Sequence, residues 1–188
     1  MKRRIGILLL TLAMCCALSA CSGGTDSGDE AKTETADPFG TVEPLTVFDA
    51  IDRFNVELSE HEANYYADNE YMIAQDGLYW YRIFDDITCY VKPVEFSDDM
   101  EKDIAETIAI RYAVDSKNEQ MALDYIQYLI KANNADITDD EISTLMSKAK
   151  EQAPDGKTAY NGKGITVGVL VTEDVIEYQI VRIYEDEK

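Results

Sequence analysis

The 188-residue chain predicts an α+β domain: two three-stranded antiparallel meanders in one sheet, with about four helices packed on one face. Three observations predict it. Apolar residues recur at helical spacing in four stretches. Runs rich in β-branched and aromatic residues flank short turns, among them Asp76-Gly77 and Asn161-Gly162. Each meander has one apolar and one mixed face, as an antiparallel sheet covered on one side requires.

The chain opens with Lys2, Arg3 and Arg4, then an apolar stretch from Ile5 to about Leu18, then small residues. That stretch is shorter than the roughly 20 apolar residues a bilayer crossing takes, and Gly, Ser and Asp follow it, so residues 1–20 read as a secretory signal. Leu18-Ser19-Ala20-Cys21 resembles the lipobox of bacterial lipoproteins. The resemblance implies that the mature chain begins at Cys21, whose sulfur carries diacylglycerol, and is held on the outer side of a membrane. Lipid chains contribute roughly 0.8 kcal/mol per buried CH2, and two or more give stable anchoring. Ser22 stands where an inner-membrane retention signal has Asp, which implies the outer membrane if the host has two.

Residues 21–44 contain almost no aliphatic side chains and read as a flexible acidic tether. Loss of residues 1–20 removes three basic residues and no acid, leaving 14 basic against 37 acidic side chains and a net charge of −23. A surface so negative excludes nucleic acid and anionic lipid headgroups as partners. Cys15 and Cys16 leave with the signal and Cys21 is lipidated, so Cys89 remains alone and no internal disulfide is expected. The single domain of residues 45–188 therefore rests on an ordinary hydrophobic core.

Thr46 caps a first helix with Asp49 at its third position, and Val47, Ile51, Phe54 and Leu58 form its stripe up to about Ala63. Strands follow at 71–75, 78–84 and 87–94, around turns at Asp76-Gly77 and Asp85-Asp86. Met100, Ile104, Ile108 and Tyr112 predict a second helix behind the cap Ser97. Met121, Tyr125, Tyr128 and Leu129 predict a third. Ile142, Leu145, Met146 and Ala149 predict a fourth, opened by a capping box of Thr138 and Glu141. The last strands are 157–160, 163–171 and 175–184, with turns at Asn161-Gly162 and near Glu173-Asp174. A helix precedes each meander, which fits either a duplicated α-β-β-β unit or convergence on one motif.

Register assigns the faces, since a slip of one residue inverts a strand. Pairing Gln75 with Leu78 and Phe84 with Ile87 puts Ile73, Leu78, Trp80, Phe84, Ile87, Cys89 and Val91 on the core face. Met72, Tyr79, Tyr81, Thr88, Tyr90 and Lys92 then share the other, with Tyr81 directly across from Tyr90. In the second meander Ile165, Val167, Val169, Val171, Ile176, Tyr178 and Ile180 fall together, and Thr166, Gly168, Glu177 and Gln179 lie on the reverse.

Few residues suggest chemistry. Cys89 and His61 are each the sole residue of their kind in the domain, but Cys89 falls on the core face and His61 between Glu60 and Glu62, so a thiol–imidazole pair is not expected. One Cys and one His make no zinc site, and residues 133–141 supply oxygen ligands without the Gly and distal Glu of an EF-hand loop. No metal or cofactor is expected, and no phosphate loop, G-x-S-x-G elbow or H-E-x-x-H occurs.

Tyr79, Tyr81 and Tyr90 are the candidate binding residues, because tyrosine offers a flat apolar body with a polar tip and suits recognition of protein, peptide or glycan. Cross-strand aromatic pairs also stabilise sheets without any ligand. The reading is a lipid-anchored, non-enzymatic binding or accessory domain of the cell envelope. The alternatives are a small envelope hydrolase with unidentified acidic catalytic residues and a structural lipoprotein without ligand.

Overall fold

The computed structural model describes residues 40–153 and 158–184, giving only the backbone of residues 71, 152 and 158–162. The expected signal, the expected tether up to residue 39 and Cys21 lie outside the described residues, which all fall within one compact unit.

Helix α1 spans Val47–Glu60, and the Thr46 hydroxyl accepts the Asp49 N–H at 3.0 Å, as its capping sequence predicts. Strands β1 (Ile73–Gln75), β2 (Leu78–Phe84) and β3 (Ile87–Pro93) follow, then β4 (Ala105–Ala113). Helices α2 (Glu119–Asn133) and α3 (Asp139–Gln152) come next, and β5 (Thr158–Gly162), β6 (Ile165–Val171) and β7 (Val175–Arg182) complete the described chain. The seven strands form one antiparallel sheet in the order β1-β2-β3-β4-β7-β6-β5. The described residues are therefore α+β, with three α-helices among them.

The expected helix behind Ser97 is instead β4, which makes the first meander four-stranded. Residues four apart share a face of a helix, and they also share a face of a strand, whose period is two. Ile108 and Tyr112 satisfy both patterns, but Ile110 between them is equally buried, which only the strand explains. Ser97 instead binds Asp103: its N–H donates to a carboxylate oxygen at 2.9 Å, and its hydroxyl donates to the other.

The Asp76-Gly77 turn forms as predicted, both residues at positive φ (56° and 77°). In the second meander the turn is Lys163-Gly164 (48° and 80°), two residues beyond the expected Asn161-Gly162, and Gly162 pairs with Ile165. Glycine is required at 164, where a Cβ would lie 2.7 Å from the carbonyl carbon of Thr41. The entering chain is pinned there, with Val42 N–H donating to the Ile183 carbonyl at 2.9 Å.

The α3 capping box closes as predicted: Thr138 Oγ1 accepts the Glu141 N–H, and the Glu141 carboxylate accepts the Thr138 N–H. These bonds, with Lys163, hold the Glu141 carboxyl down to about 2. The helices cover one side of the sheet. Phe54, Leu58, Ile126, Leu129 and Leu145 share one core with Cys89, Val91, Ile108, Ile110, Tyr178 and Ile180.

Candidate functional site

Two tyrosines expected on the open face are in the core. Tyr79 and Tyr81 are 0% and 1% exposed and pack with Cys89 and Val91, while Trp80, expected in the core, lies on the opposite face. The cause is a β-bulge. Phe84 pairs with Ile87 as expected, but Arg82 pairs with Thr88, so Ile83 is an extra residue and both Ile83 and Phe84 turn toward the core. One extra residue inverts β2 relative to β3, which makes Trp80, not Tyr81, the cross-strand neighbour of Tyr90. Leu78 accordingly leaves the core face, as does Ile73, which pairs with Trp80 and is 62% exposed. A signal for this was present, since the alternation that puts Leu78, Trp80 and Phe84 on the core face carries Arg82 there as well, whereas Tyr79, Tyr81 and Ile83 carry no charge.

On the face away from the helices, Trp80, Tyr90, Ala109, Gln179 and Gly168 form one row across β2, β3, β4, β7 and β6. Arg82, Thr88, Arg111, Glu177 and Leu170 form the next. None of these ten belongs to the core cluster. Thr166, Gly168, Glu177 and Gln179 were assigned to this face from sequence, and the register agrees.

The side chains form one network. The Trp80 and Tyr90 rings lie 4.9 Å apart at 51°, and the Arg111 guanidinium sits 5.7 Å from the Trp80 ring. Tyr90 Oη donates to Glu177 Oε1 at 2.9 Å. Gln179 Nε2 donates to the same oxygen at 2.5 Å and to Tyr90 Oη at 3.2 Å. Arg111 Nε faces Glu177 Oε2 at 3.4 Å. Burial, then the Glu177 charge, pushes the Tyr90 hydroxyl well above its ordinary range, so it stays a donor.

With Tyr90 and Glu177 nearly buried, Trp80 half-buried and Arg82 exposed, the rigid centre is bordered by a ring and two guanidiniums. Among the described residues Arg82 has no carboxylate partner and donates only to the Asp85 carbonyl at 3.4 Å. The arrangement presents fixed donors beside an aromatic surface, and its hydroxyl–carboxylate pair, Tyr90 and Glu177, is buried.

The remaining candidates lie elsewhere. Cys89 is fully buried in the core, as expected, and burial raises its thiol far above the ordinary range. His61 is exposed at the end of α1, stacked on Tyr128 with centroids 4.2 Å apart. Among the described residues no group of three or more His, Cys, Asp or Glu is placed to hold a metal. A cleft of about 270 Å³ between α2 and α3 has Leu123, Met146 and Tyr178 among its lining residues, and its one cation, Lys150, faces Glu119 at 3.6 Å. No family model, curated protein or solved structure matches the chain.

Proposed function

We propose that this chain is an extracytoplasmic lipoprotein, anchored through lipid on Cys21, whose domain is a non-enzymatic binding module working through the uncovered sheet face. The observation that carries the binding reading is the Trp80–Tyr90–Arg111–Glu177 network. The Trp80 ring packs on Tyr90, whose hydroxyl bonds to the buried Glu177, and the Arg111 cation pairs with that same carboxylate, all on the sheet face away from the helices. Side chains fixed before a partner arrives lose less entropy on binding, which is the advantage of a rigid sheet over a loop.

The anchor reading rests on the basic start, apolar stretch and lipobox-like Leu18-Ser19-Ala20-Cys21. Among the described residues no helix is long and apolar enough to cross a membrane. Cys21→Ala should abolish incorporation of labelled palmitate and leave the precursor uncleaved. A variant that is still cleaved after residue 20 and stays with the membrane after a carbonate wash refutes the anchor.

For the binding module, detergent-solubilised full-length protein should be retained by cell-envelope fragments, and Trp80→Ala should lose that retention while melting near the parent temperature. Equal retention of the two proteins refutes a role for this face.

A further inference from the structure

The ligand class follows from which groups border the face, and the inference rests on the binding reading above. Protein-protein interfaces favour Trp, Tyr and Arg but are depleted of Glu, and Glu177 stands near the middle of this sheet, facing Arg111 at 3.4 Å. A flat protein surface docked here would have to desolvate that pair. Nucleic acid is repelled by a chain of net charge −20. A pyranose is a better match, since it presents a C–H side to an aromatic ring and hydroxyls at its rim to planar polar groups.

Charge narrows the class. Arg82, Thr88 and Arg111 are direct cross-strand neighbours, so the two arginines lie two strands apart, roughly 10 Å at the usual strand spacing. Both adjoin the Trp80–Tyr90 row, and the Arg111 guanidinium is held 5.7 Å from the Trp80 ring. Among the described residues Arg82 has no carboxylate partner, and Arg111 approaches Glu177 through Nε at 3.4 Å. Guanidinium forks match carboxylates in bidentate fashion. On a strongly acidic protein, two arginines beside the only tryptophan complement a negative group borne on a flat, hydroxylated ring.

We infer that the Trp80–Arg82–Arg111 corner of the open face binds a carboxylate-bearing glycan, with the sugar ring against Trp80 and its carboxylate toward the two arginines.

Trp80 is the sole tryptophan, so its emission reports this corner directly. Detergent-solubilised full-length protein is titrated with a trigalacturonate, its methyl ester and an acidic hexapeptide. The expected result is a saturable emission change with trigalacturonate and at least tenfold weaker response to the ester and the peptide. Arg82→Gln, at an exposed site and with an unchanged melting curve, should weaken trigalacturonate at least tenfold. Equal response to the ester, a stronger response to the peptide, or unchanged affinity of Arg82→Gln each overturns the inference. No emission change with any probe overturns it as well. If envelope retention still depends on Trp80 in that case, the binding module stands and the ligand class falls; if retention is also independent of Trp80, both fall.

Discussion

Trp80 lies directly across β2 and β3 from Tyr90, their rings 4.9 Å apart on the face away from the helices, while Tyr79 and Tyr81 on either side of it are buried in the core. This sets the order of mutational cost. Tyr81→Ala empties a large core site and should cost about 3–5 kcal/mol. Trp80→Ala loses one aromatic pair and part of its burial, about 1 kcal/mol. Urea denaturation of the two variants checks this, and a Trp80→Ala variant less stable than Tyr81→Ala contradicts the bulged register.

The two buried tyrosines differ at their hydroxyls. Tyr79 Oη donates to Asp103 Oδ2 at 2.5 Å, whereas Tyr81 Oη is buried with no hydrogen-bond partner among the described residues. Tyr79→Phe deprives a buried carboxylate of a donor and should cost about 1–3 kcal/mol. Tyr81→Phe removes an unsatisfied group and should be neutral or stabilising by up to about 1 kcal/mol. Thermal melts of the pair decide it, and equal losses would show that Tyr81 has a partner in solution.

Asp103 adds a pH dependence. Burial raises its carboxyl, but the hydrogen bonds from Ser97 and Tyr79 outweigh burial and leave it below the ordinary value. A depressed folded pKa means the stabilisation is complete above the unfolded value, about 3.9, and is lost as pH falls below it. Asp103→Asn should be less stable at pH 7 and converge on the parent as pH drops toward 3. Parallel stability curves over that range would remove Asp103 from the acid response.

Cys89 should resist thiol reagents in the native protein, because it is wholly buried and its thiolate is disfavoured. Native labelling at neutral pH should be far slower than labelling in urea. Cys89→Ala should cost about 1 kcal/mol without altering envelope retention. Fast native labelling would place Cys89 outside the core.

How much of this was legible depends on whether an irregularity shifted a strand by one residue or by two. The Lys163-Gly164 turn lies two residues past the expected Asn161-Gly162, yet Val167, Val169, Tyr178 and Ile180 still share the core face, because a slip of two preserves side-chain direction. At Ile83 the shift is a single residue, and it exchanged Trp80 for Tyr79 and Tyr81. The β4 segment failed for a different reason, spacing by four being common to both periods. Thr46, Thr138 and the Asp76-Gly77 turn were readable because their chemistry is local. The pairing of Arg111 and Tyr90 with Glu177 was not readable, because it depends on β4 lying beside β7.

That neighbour relation has a consequence for how the protein is made. The strands β1 to β3 follow one another through short turns, as do β5 to β7, and β4 follows β3 after residues 94–104, but β4 meets β7 only after the chain from 114 to 174 has closed on itself. Contacts between distant segments pay their loop-closure entropy before they are rewarded, so closing this seam is expected to be the slow step of folding. Tyr90 and Arg111 come from one side of the seam, Glu177 and Gln179 from the other. A chain in which the seam has not closed lacks the assembled face, and the emission of Trp80, two strands from the seam but beside the Arg111 guanidinium, should distinguish it from the finished molecule.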